Sequence, residues 1–369
     1  MPNLLVATRK GLFEIQGQGT RWAIGPPHFA GDPVSQVLVD PRDGVWYAAL
    51  RLGHFGVKLR KSHDRGASWT EITSPAFPAK PETGPMADDP TLWNVDMIWS
   101  LAAGGPAEPG VLWAGCMPAG LFKSEDGGQS WALTRALWDD PRRMGWMGGG
   151  NDFPGLHSLL VDPRDPRHLT LAISCGGVWQ THDGGATWAS TAQGMKAEYM
   201  PPELVDDPNT QDPHRLVHCA AEPDALWVQH HGGIYKSVNG GRQWLSVPSP
   251  EPSGFGFAVA CDPARPERAW FVPAQADTHR FAVNGQMVVT RTDDGGETFQ
   301  AFGAGLPASH AYHLVYRHGL DVSADGRTLA MASTTGGLWI SLDAGEEWHT
   351  VSNDLPPVAA LGWVPEAPP

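Results

Sequence analysis

The sequence predicts an all-β fold, a seven-bladed β-propeller built from four-stranded antiparallel blades. The first observation is an octet, Ser/Thr-x-Asp/Asn-x-Gly-x-x-Trp/Phe, which recurs along the 369 residues at 62–69, 124–131, 181–188, 237–244, 292–299 and 341–348. The second is a set of short apolar runs before each octet, which predict strands. A period of about 50 residues with four strands in each repeat is typical of a propeller.

Each octet is predicted to be a hairpin turn between the third and fourth strands of a blade. The Asp or Asn side chain can accept hydrogen bonds from the following backbone N–H groups, and the Gly can take a positive φ. The Ser or Thr hydroxyl closes the loop from the strand side, and the final aromatic residue anchors the outgoing strand. The octets are therefore expected to be structural.

A seventh, degenerate copy lies at the start of the chain. Aligning residues 11–15 with 337–341 puts Gly17, Gly19 and Trp22 on the Asp, Gly and Trp positions of the octet. Residues 3–25 then supply three strands and lack the first one. We expect the apolar run at 358–364 to pair with residues 3–8, closing the ring and removing exposed sheet edges.

Residues 1–369 are predicted to form one domain, because no linker or change in composition interrupts the repeats. The predicted blades are 3–25 with 357–364, 34–73, 97–134, 157–190, 216–247, 256–302 and 313–351.

Charge and composition exclude several classes of partner. Lys and Arg total 26 against 40 Asp and Glu, a formal charge of −14, which argues against nucleic acid and anionic membranes. No signal segment or spanning apolar stretch is visible, so we expect a cytoplasmic protein. We expect no disulfides: Cys219 and Cys261 fall in inner strands, while Cys116 and Cys175 follow the second strands of their blades.

The connections between blades point to the functional face. Because successive strands run antiparallel, the octets share one face and these connections share the other. Long irregular connections in a compact fold usually carry function, so a ligand site is expected at the channel mouth on that side. The connections are 74–96, 135–156, 191–215, 248–255 and 303–312, joined by an insertion at 273–285.

Three readings of that face stay open. In the first, the protein is a carbohydrate-active or related small-molecule enzyme, with carboxylates for acid–base catalysis and aromatic rings that stack on sugars. The candidate catalytic residues are the carboxylates Asp152, Glu198 and Glu203, together with Tyr199. The candidate ligand-binding residues are Arg9, Lys10, Arg51, Trp99, Trp146, Arg215 and Tyr312.

The second reading is a metal-dependent hydrolase or lyase that holds a divalent transition metal near the channel axis. Its candidate ligands are His54, His157, His230, His231 and His310. The third reading is a non-catalytic scaffold that binds another protein, with exposed tryptophans as interface anchors.

The octets resemble the Asp-box, or BNR, repeats of the sialidase-like propeller superfamily. The whole chain resembles a family of bacterial single-propeller proteins commonly labelled exo-α-sialidase, glycosyl hydrolase or BNR-like repeat protein. The matching stretches are 5–13, 39–43, 53–58, 199–203, 211–216 and 334–339.

Comparison with true sialidases limits what this resemblance implies. It would make Arg9 the nearest counterpart of the substrate-binding Arg, supplemented by Arg51 and Arg215, with Tyr199 or Tyr312 near a Glu as nucleophile. The chain lacks the F-R-I-P motif of those enzymes, so we expect another glycoside or small-molecule chemistry. The sequence therefore predicts a propeller that binds a small polar ligand, a carbohydrate above all, opposite the octets.

Overall fold

The computed structural model describes residues 3–84 and 86–365, and these residues form almost entirely strands, turns and loops. The first seven strands are β1 (Asn3–Thr8), β2 (Gly11–Gln18), β3 (Arg21–Ile24), β4 (Val34–Val39), β5 (Trp46–Arg51), β6 (Val57–Ser62) and β7 (Thr70–Ile72). The next eight are β8 (Met97–Ala103), β9 (Leu112–Met117), β10 (Leu121–Ser124), β11 (Ala132–Leu133), β12 (Leu156–Val161), β13 (Leu169–Ile173), β14 (Gly177–Thr181) and β15 (Ala189–Ser190).

The remaining strands run from residue 213 to residue 364. They are β16 (Pro213–His218), β17 (Leu226–His230), β18 (Gly233–Ser237), β19 (Leu245–Ser246), β20 (Gly256–Cys261), β21 (Ala269–Pro273), β22 (Val289–Thr292), β23 (Gln300–Phe302), β24 (Leu320–Val322), β25 (Leu329–Ala332), β26 (Leu338–Ser341), β27 (His349–Ser352) and β28 (Val358–Val364). In the described chain, helix is limited to α1 (Arg135–Trp138) and 3-10 turns at Gly53–Phe55, Pro141–Gly145, Pro202–Leu204 and Val283–Gly285. No helix in this part of the chain is long and apolar enough to span a bilayer.

The strands form seven four-stranded sheets, which confirms the seven-bladed propeller. Six sheets take four consecutive strands each, from β4–β7 to β24–β27. The seventh has the order β28-β1-β2-β3. Strand β28 pairs antiparallel with β1, with Val6 opposite Leu361 and Asn3 opposite Val364. The predicted closure by the C-terminal strand is therefore confirmed.

Contacts divide the chain into two compact units. The first unit is Met1–Val39 with His214–Pro369, and the second unit is Asp40–Pro213. Organisation as one domain stays a prediction. Within the first unit, β20 contacts β24 and β24 contacts β28; within the second, β8 contacts β12. The first strands of neighbouring blades thus pack together inside each unit.

Burial falls from the first strand of a blade to the last. All residues of β20 are buried, whereas both residues of β19 are exposed. In the first unit one apolar cluster surrounds Trp270 and Trp339. In the second unit another contains Leu156 and Trp179. These clusters stabilise each unit mainly by removing apolar surface from water.

The octets adopt the predicted turn. In the copy at 124–131 the Ser124 hydroxyl donates to Asp126 Oδ1 (2.8 Å) and accepts from the Gly128 N–H (2.9 Å). Asp126 also accepts from the Ser130 N–H (2.9 Å) and the Ser130 hydroxyl (2.6 Å). The same Ser/Thr–Asp–Gly bonds recur at residues 62–66, 181–185, 292–296 and 341–345. The octets are therefore braces that satisfy their own polar groups.

The cysteines need one correction. Cys116 lies within β9 and Cys175 lies in the turn after β13, so the prediction that both follow a strand was wrong for Cys116. Cys116 lies within the strand because β9 extends to Met117, which pairs with Met97 of β8. Burial raises the pKa of the Cys116 thiol, which keeps it protonated and unreactive. Cys219 and Cys261 are buried, as predicted, but only Cys261 lies in a strand: β16 ends at His218, so the prediction of an inner-strand position was wrong for Cys219.

Candidate functional site

The second unit contains a small open cleft of about 50 Å³ on the face opposite its octets. Its walls come from the connection before β8, the turn between β9 and β10, and the connection between β11 and β12. The lining residues are Asp89, Pro90, Thr91, Pro118, Ala119, Trp138, Arg143, Met144, Trp146 and Pro154. These are the connections in which the sequence predicted a ligand site.

A buried ion pair supports one wall of the cleft. The Arg143 guanidinium lies 2.6 Å from Asp89 Oδ2, and these side chains are 3% and 0% exposed. Arg143 Nε also donates to the Trp138 carbonyl (2.6 Å), and its guanidinium carbon lies 3.9 Å from the Trp138 ring centroid. Both charges are thus matched inside the protein, which a buried pair requires.

Hydrogen bonds keep Asp89 ionised. Burial would raise the pKa of this carboxyl, but the bonds from Arg143, the Thr91 N–H and the Trp93 indole outweigh it, so the pKa lies below its ordinary value. Asp89 is therefore a carboxylate at neutral pH with most of its acceptor capacity in use. Its role is to hold the wall in place rather than to donate a proton.

Two tryptophans line the cleft and are nearly buried, Trp138 at 1% and Trp146 at 7% exposure. Trp146 packs edge-on against Trp179, with ring centroids 5.4 Å apart. Trp138 packs against Phe77 (4.4 Å) and Trp93 (5.5 Å). Within the described structure, the buried indole nitrogens of Trp138 and Trp146 have no acceptor within hydrogen-bonding distance. The cleft is therefore bordered by two nearly buried indoles whose N–H donors have no acceptor among the described residues.

The remaining predicted residues of the second unit lie outside the cleft lining. Arg51 forms an ion pair with Asp96 (2.6 Å), and both side chains are about half exposed. Trp99 packs edge-on against His157, with centroids 5.6 Å apart, and His157 is fully buried beside Ser158. His54 is exposed and lies against Phe55.

The predicted catalytic residues do not converge on the cleft. Asp152, Glu198 and Glu203 are exposed and none of them lines it. The Tyr199 hydroxyl donates to the Thr210 carbonyl (2.6 Å). Burial, followed by the nearby Asp212 and Cys175, raises the pKa of Tyr199, so its hydroxyl is protonated at neutral pH. This geometry does not favour Tyr199 as a nucleophile.

The first unit places its predicted ligand-binding residues apart from one another. Arg9 and Lys10 are exposed in the turn between β1 and β2, and Tyr312 is 66% exposed beside Phe281. Arg215 is on β16. Burial lowers the pKa of Arg215 to about 10, while the neighbouring Asp321 opposes that shift. Arg215 is thus part of an internal charge cluster.

The predicted histidine ligands of the first unit differ in their surroundings. His230 is buried, and its Nδ1 accepts the Gly232 N–H (3.0 Å), so that nitrogen is already in use. His310 is exposed with a φ of 53°. His231 is half-buried, and its ring centroid lies 5.5 Å from that of His214. Of the predicted histidines in this unit, His231 therefore lies beside another imidazole.

Sequence reasoning missed Arg143 and Asp89 as residues of the site. They are 54 positions apart and in different connections, so no local motif joins them. The available signal was the density of tryptophans in the connection at 135–156, from which Trp146 was selected.

The comparisons show similarity to carbohydrate-active propellers. No family model matches the chain. The oligoxyloglucan-reducing end-specific xyloglucanase of Emericella nidulans is 24% identical over 244 residues, 58% of this chain and 28% of that protein. The probable oligoxyloglucan-reducing end-specific xyloglucanase of Neosartorya fischeri is 22% identical over 337 residues, which are 82% of this chain and 37% of that protein. The chain thus spans about a third of the length of these curated relatives.

Solved structures support the fold. The GH74 xyloglucanase from Xanthomonas campestris superposes with a TM-score of 0.65 at 17% identity, over 94% of this chain and 52% of that one. YCF48 bound to D1 peptide superposes with a TM-score of 0.57 at 15% identity, over 92% of this chain and 89% of that one. The chain is a seven-bladed propeller related in sequence to xyloglucanases. The resemblance to sialidase-like proteins stays a hypothesis.

Proposed function

We propose that this protein binds a neutral oligosaccharide in the cleft of the second unit. The observation that carries the proposal is the pair of buried indole N–H groups, on Trp138 and Trp146, that have no acceptor in the described structure. A buried donor without a partner costs about 1–3 kcal/mol, which a sugar hydroxyl would recover by accepting the bond.

The charge of the cleft supports a neutral sugar over an acidic one. Arg143 is the one cation among the lining residues, and Asp89 already neutralises it. A sialic acid carboxylate would find no spare positive charge there and would lose its hydration. Xyloglucan-type oligosaccharides, the compounds in the names of the curated relatives, carry no such charge.

Binding is better supported than hydrolysis. Glycosidases ordinarily place two carboxyl groups about 5–10 Å apart across the scissile bond. Asp89 is the one carboxylate among the lining residues of the cleft, and Arg143 holds it ionised. Hydrolysis through Asp152, Glu198 or Glu203 stays a weaker proposal, since those residues lie outside the lining.

The proposal is tested by titrating the protein with xyloglucan heptasaccharide, cellotetraose and sialyllactose in a calorimeter. We expect saturable binding of a neutral oligosaccharide and none of sialyllactose. Trp146→Phe keeps an aromatic ring and removes the N–H, so it should weaken binding about fivefold to tenfold, the value of one hydrogen bond. Release of reducing sugar during the titration would add hydrolysis to the function.

The matched control is Trp363→Phe. Trp363 is another tryptophan whose buried indole nitrogen lacks an acceptor in the described structure, but it belongs to the first unit and is not in the cleft. This variant should bind within about twofold of the wild type. The absence of saturable binding to every neutral oligosaccharide, or an equal loss in both variants, would contradict the proposal.

A second candidate function is peptide binding. It is supported by the similarity to YCF48, which was solved with a peptide and is covered over 89% of its length. The exposed Tyr312, packed on Phe281 in the first unit, would then be a contact residue. Capture of an arrayed peptide that Tyr312→Ser abolishes, together with no oligosaccharide binding, would favour this candidate.

Two further expectations remain proposals. The octets are proposed to be Asp-boxes, supported by their repeated Ser/Thr–Asp–Gly hydrogen bonds. Cytoplasmic location is proposed because the four cysteines form no disulfide among the described residues, a state typical of a reducing compartment.

A further inference from the structure

Two hydroxyl groups meet one imidazole in the first unit. His313 lies in the connection between β23 and β24, and Ser333 and Thr335 lie in the turn between β25 and β26. His313 Nδ1 is 2.6 Å from Thr335 Oγ1 and 3.0 Å from Ser333 Oγ. The two hydroxyl oxygens are 3.1 Å apart. The three side chains therefore form a closed hydrogen-bonded group within one unit.

The protonation state of His313 suits it to accept a proton. Burial lowers the pKa of His313 below its ordinary value, so the imidazole is neutral at neutral pH. A neutral imidazole can present a lone pair on Nδ1, and a hydroxyl can donate to it. A nucleophile and a base within hydrogen-bonding distance, with the base oriented by a third group, are the signature of an activated nucleophile.

The third group is present, because the imidazole is held on two sides. The His313 ring stands perpendicular to the fully buried Trp339 ring, with centroids 5.1 Å apart. On its Nδ1 side lies Ser333, which is also fully buried. The Ser333 hydroxyl accepts the Gly337 N–H (3.0 Å), and the Ser333 N–H donates to the Gly337 carbonyl (2.9 Å). This turn therefore fixes both hydroxyls relative to the imidazole.

A substrate can reach this group from solvent. Thr335 is exposed and His313 is half-buried. His313 also borders a cavity of about 10 Å³, whose other lining residues, among them Met287 and Leu314, are apolar. Such a cavity holds about one water molecule, and a methyl group is of similar size. The imidazole thus lies between a reachable hydroxyl and a small apolar space.

We infer that Thr335 is the nucleophile, and His313 the general base, of a site that hydrolyses short-chain acyl esters, acetyl esters above all. Thr335 Oγ1 attacks the ester carbonyl carbon while its proton passes to His313 Nδ1. The bond from that carbon to the alcohol oxygen breaks, and the alcohol leaves with the proton from Nδ1. Water then attacks the acyl-threonine by the same route, releasing the carboxylic acid and restoring the Thr335 hydroxyl.

The experiment incubates the full-length protein with p-nitrophenyl acetate at neutral pH and follows the release of p-nitrophenolate. We expect hydrolysis above the rate in buffer, and an acetyl group on Thr335 when a quenched sample is digested for mass spectrometry. Thr335→Val keeps the side-chain shape without the nucleophile, and His313→Gln keeps an acceptor without the base. Each should lower kcat/KM about 100-fold or more, the value of a positioned base. p-Nitrophenyl butyrate should react about tenfold more slowly, because the cavity does not admit the longer chain.

Thr278→Val is the matched control. The Thr278 hydroxyl also lies near an imidazole, 2.9 Å from His279 Nδ1, but both residues are exposed and neither lines the cavity. This variant should hydrolyse the acetate at the wild-type rate, and circular dichroism must show that all variants are folded. Hydrolysis by the wild type at the buffer rate, acetylation confined to other residues, or equal rates in Thr335→Val and the wild type would overturn the inference. None of these results touches the oligosaccharide proposal, which depends on residues of the second unit.

Discussion

The octet hydrogen bonds make their aspartates strong acids. The Ser130 hydroxyl and N–H, with the Ser124 hydroxyl, lower the pKa of Asp126 to about 2. Equivalent hydrogen bonds lower the pKa values of Asp64 and Asp294 to about 2. A carboxyl whose pKa is lowered by folding stabilises the protein above its unfolded pKa of about 4, and that contribution is lost as the pH falls towards 2.

Asp126→Asn therefore tests the turn at the residue scale. The amide keeps an acceptor for the N–H groups but cannot ionise, so the variant should be less stable than the wild type at pH 5. The difference should shrink at pH 2.5, where the wild-type carboxyl begins to take up a proton. Urea unfolding at the two pH values measures this difference in stability between the variant and the wild type.

The fourth octet supplies the reciprocal change. It has Asn239 in the Asp position, with Oδ1 accepting from the Ser237 hydroxyl and the Gln243 N–H. Asn239→Asp should make stability depend more steeply on pH between 5 and 2.5. A constant difference between wild type and Asp126→Asn across this range would mean that the turn does not depend on the charge.

At the scale of elements, the position of a strand in its blade decides how much it contributes. Strand β28 supplies Val358 and Leu361 to a core that also contains Leu4 and Ile340. Strand β3, at the other edge of the same sheet, is mostly exposed, and Ile24 is 39% exposed. Closure by β28 therefore buries apolar surface and also removes an open sheet edge at β1.

Leu361→Ala and Ile24→Ala measure this difference. Leu361 is 7% exposed, so its truncation should cost about 2–4 kcal/mol through lost burial and a residual cavity. Ile24→Ala should cost less than about 1 kcal/mol, because much of that side chain is already in water. Denaturant unfolding gives both values, and equal losses would contradict a stabilising role of closure.

The whole molecule carries a formal charge of −14. Its cations are largely used in ion pairs, such as Arg42 with Asp40 and Arg164 with Asp162. These pairs keep the turns of the blades in place and leave little positive potential for a polyanion. The exclusion of nucleic acid and the cytoplasmic location both stay predictions.

We expect the protein to pass through a heparin column at about 0.15 M salt, where screening weakens contacts beyond roughly 8 Å. It should likewise fail to shift duplex DNA in a gel. The same protein should bind an anion exchanger. Retention on heparin above this salt concentration would reveal a local basic surface that overrides the net charge.

Local turn chemistry explains why the fold could be predicted. Each octet satisfies its hydrogen bonds within eight residues, so its pattern is visible in the sequence and its period counts the blades. The degenerate copy around Gly17 and Trp22 completed the count of seven, and the register of β1 on β28 confirmed it. The sequence placed Cys116 just after a strand, whereas it lies within β9. The end of a strand depends on its pairing with a neighbouring strand, which the sequence does not show.

The candidate site could be predicted only as a region. The sequence indicated the face opposite the octets and selected Trp146. It could not identify the Asp89–Arg143 pair or the contact of His313 with Thr335, because these contacts join residues far apart along the chain. The predicted carboxylates have the right residue type, but nothing in a sequence measures the separation of side chains.

By itself, then, the sequence determined the all-β propeller, its seven blades, its closure and the face that carries the connections. These follow from periodic, short-range hydrogen bonding and from the alternation of apolar residues. Only the tertiary structure decided which tryptophans border a cleft, which charges are neutralised and which imidazoles meet. Those features depend on how separate connections pack together. Burial and a few ångströms of distance decide whether a polar group stabilises the fold or is available to bind a ligand.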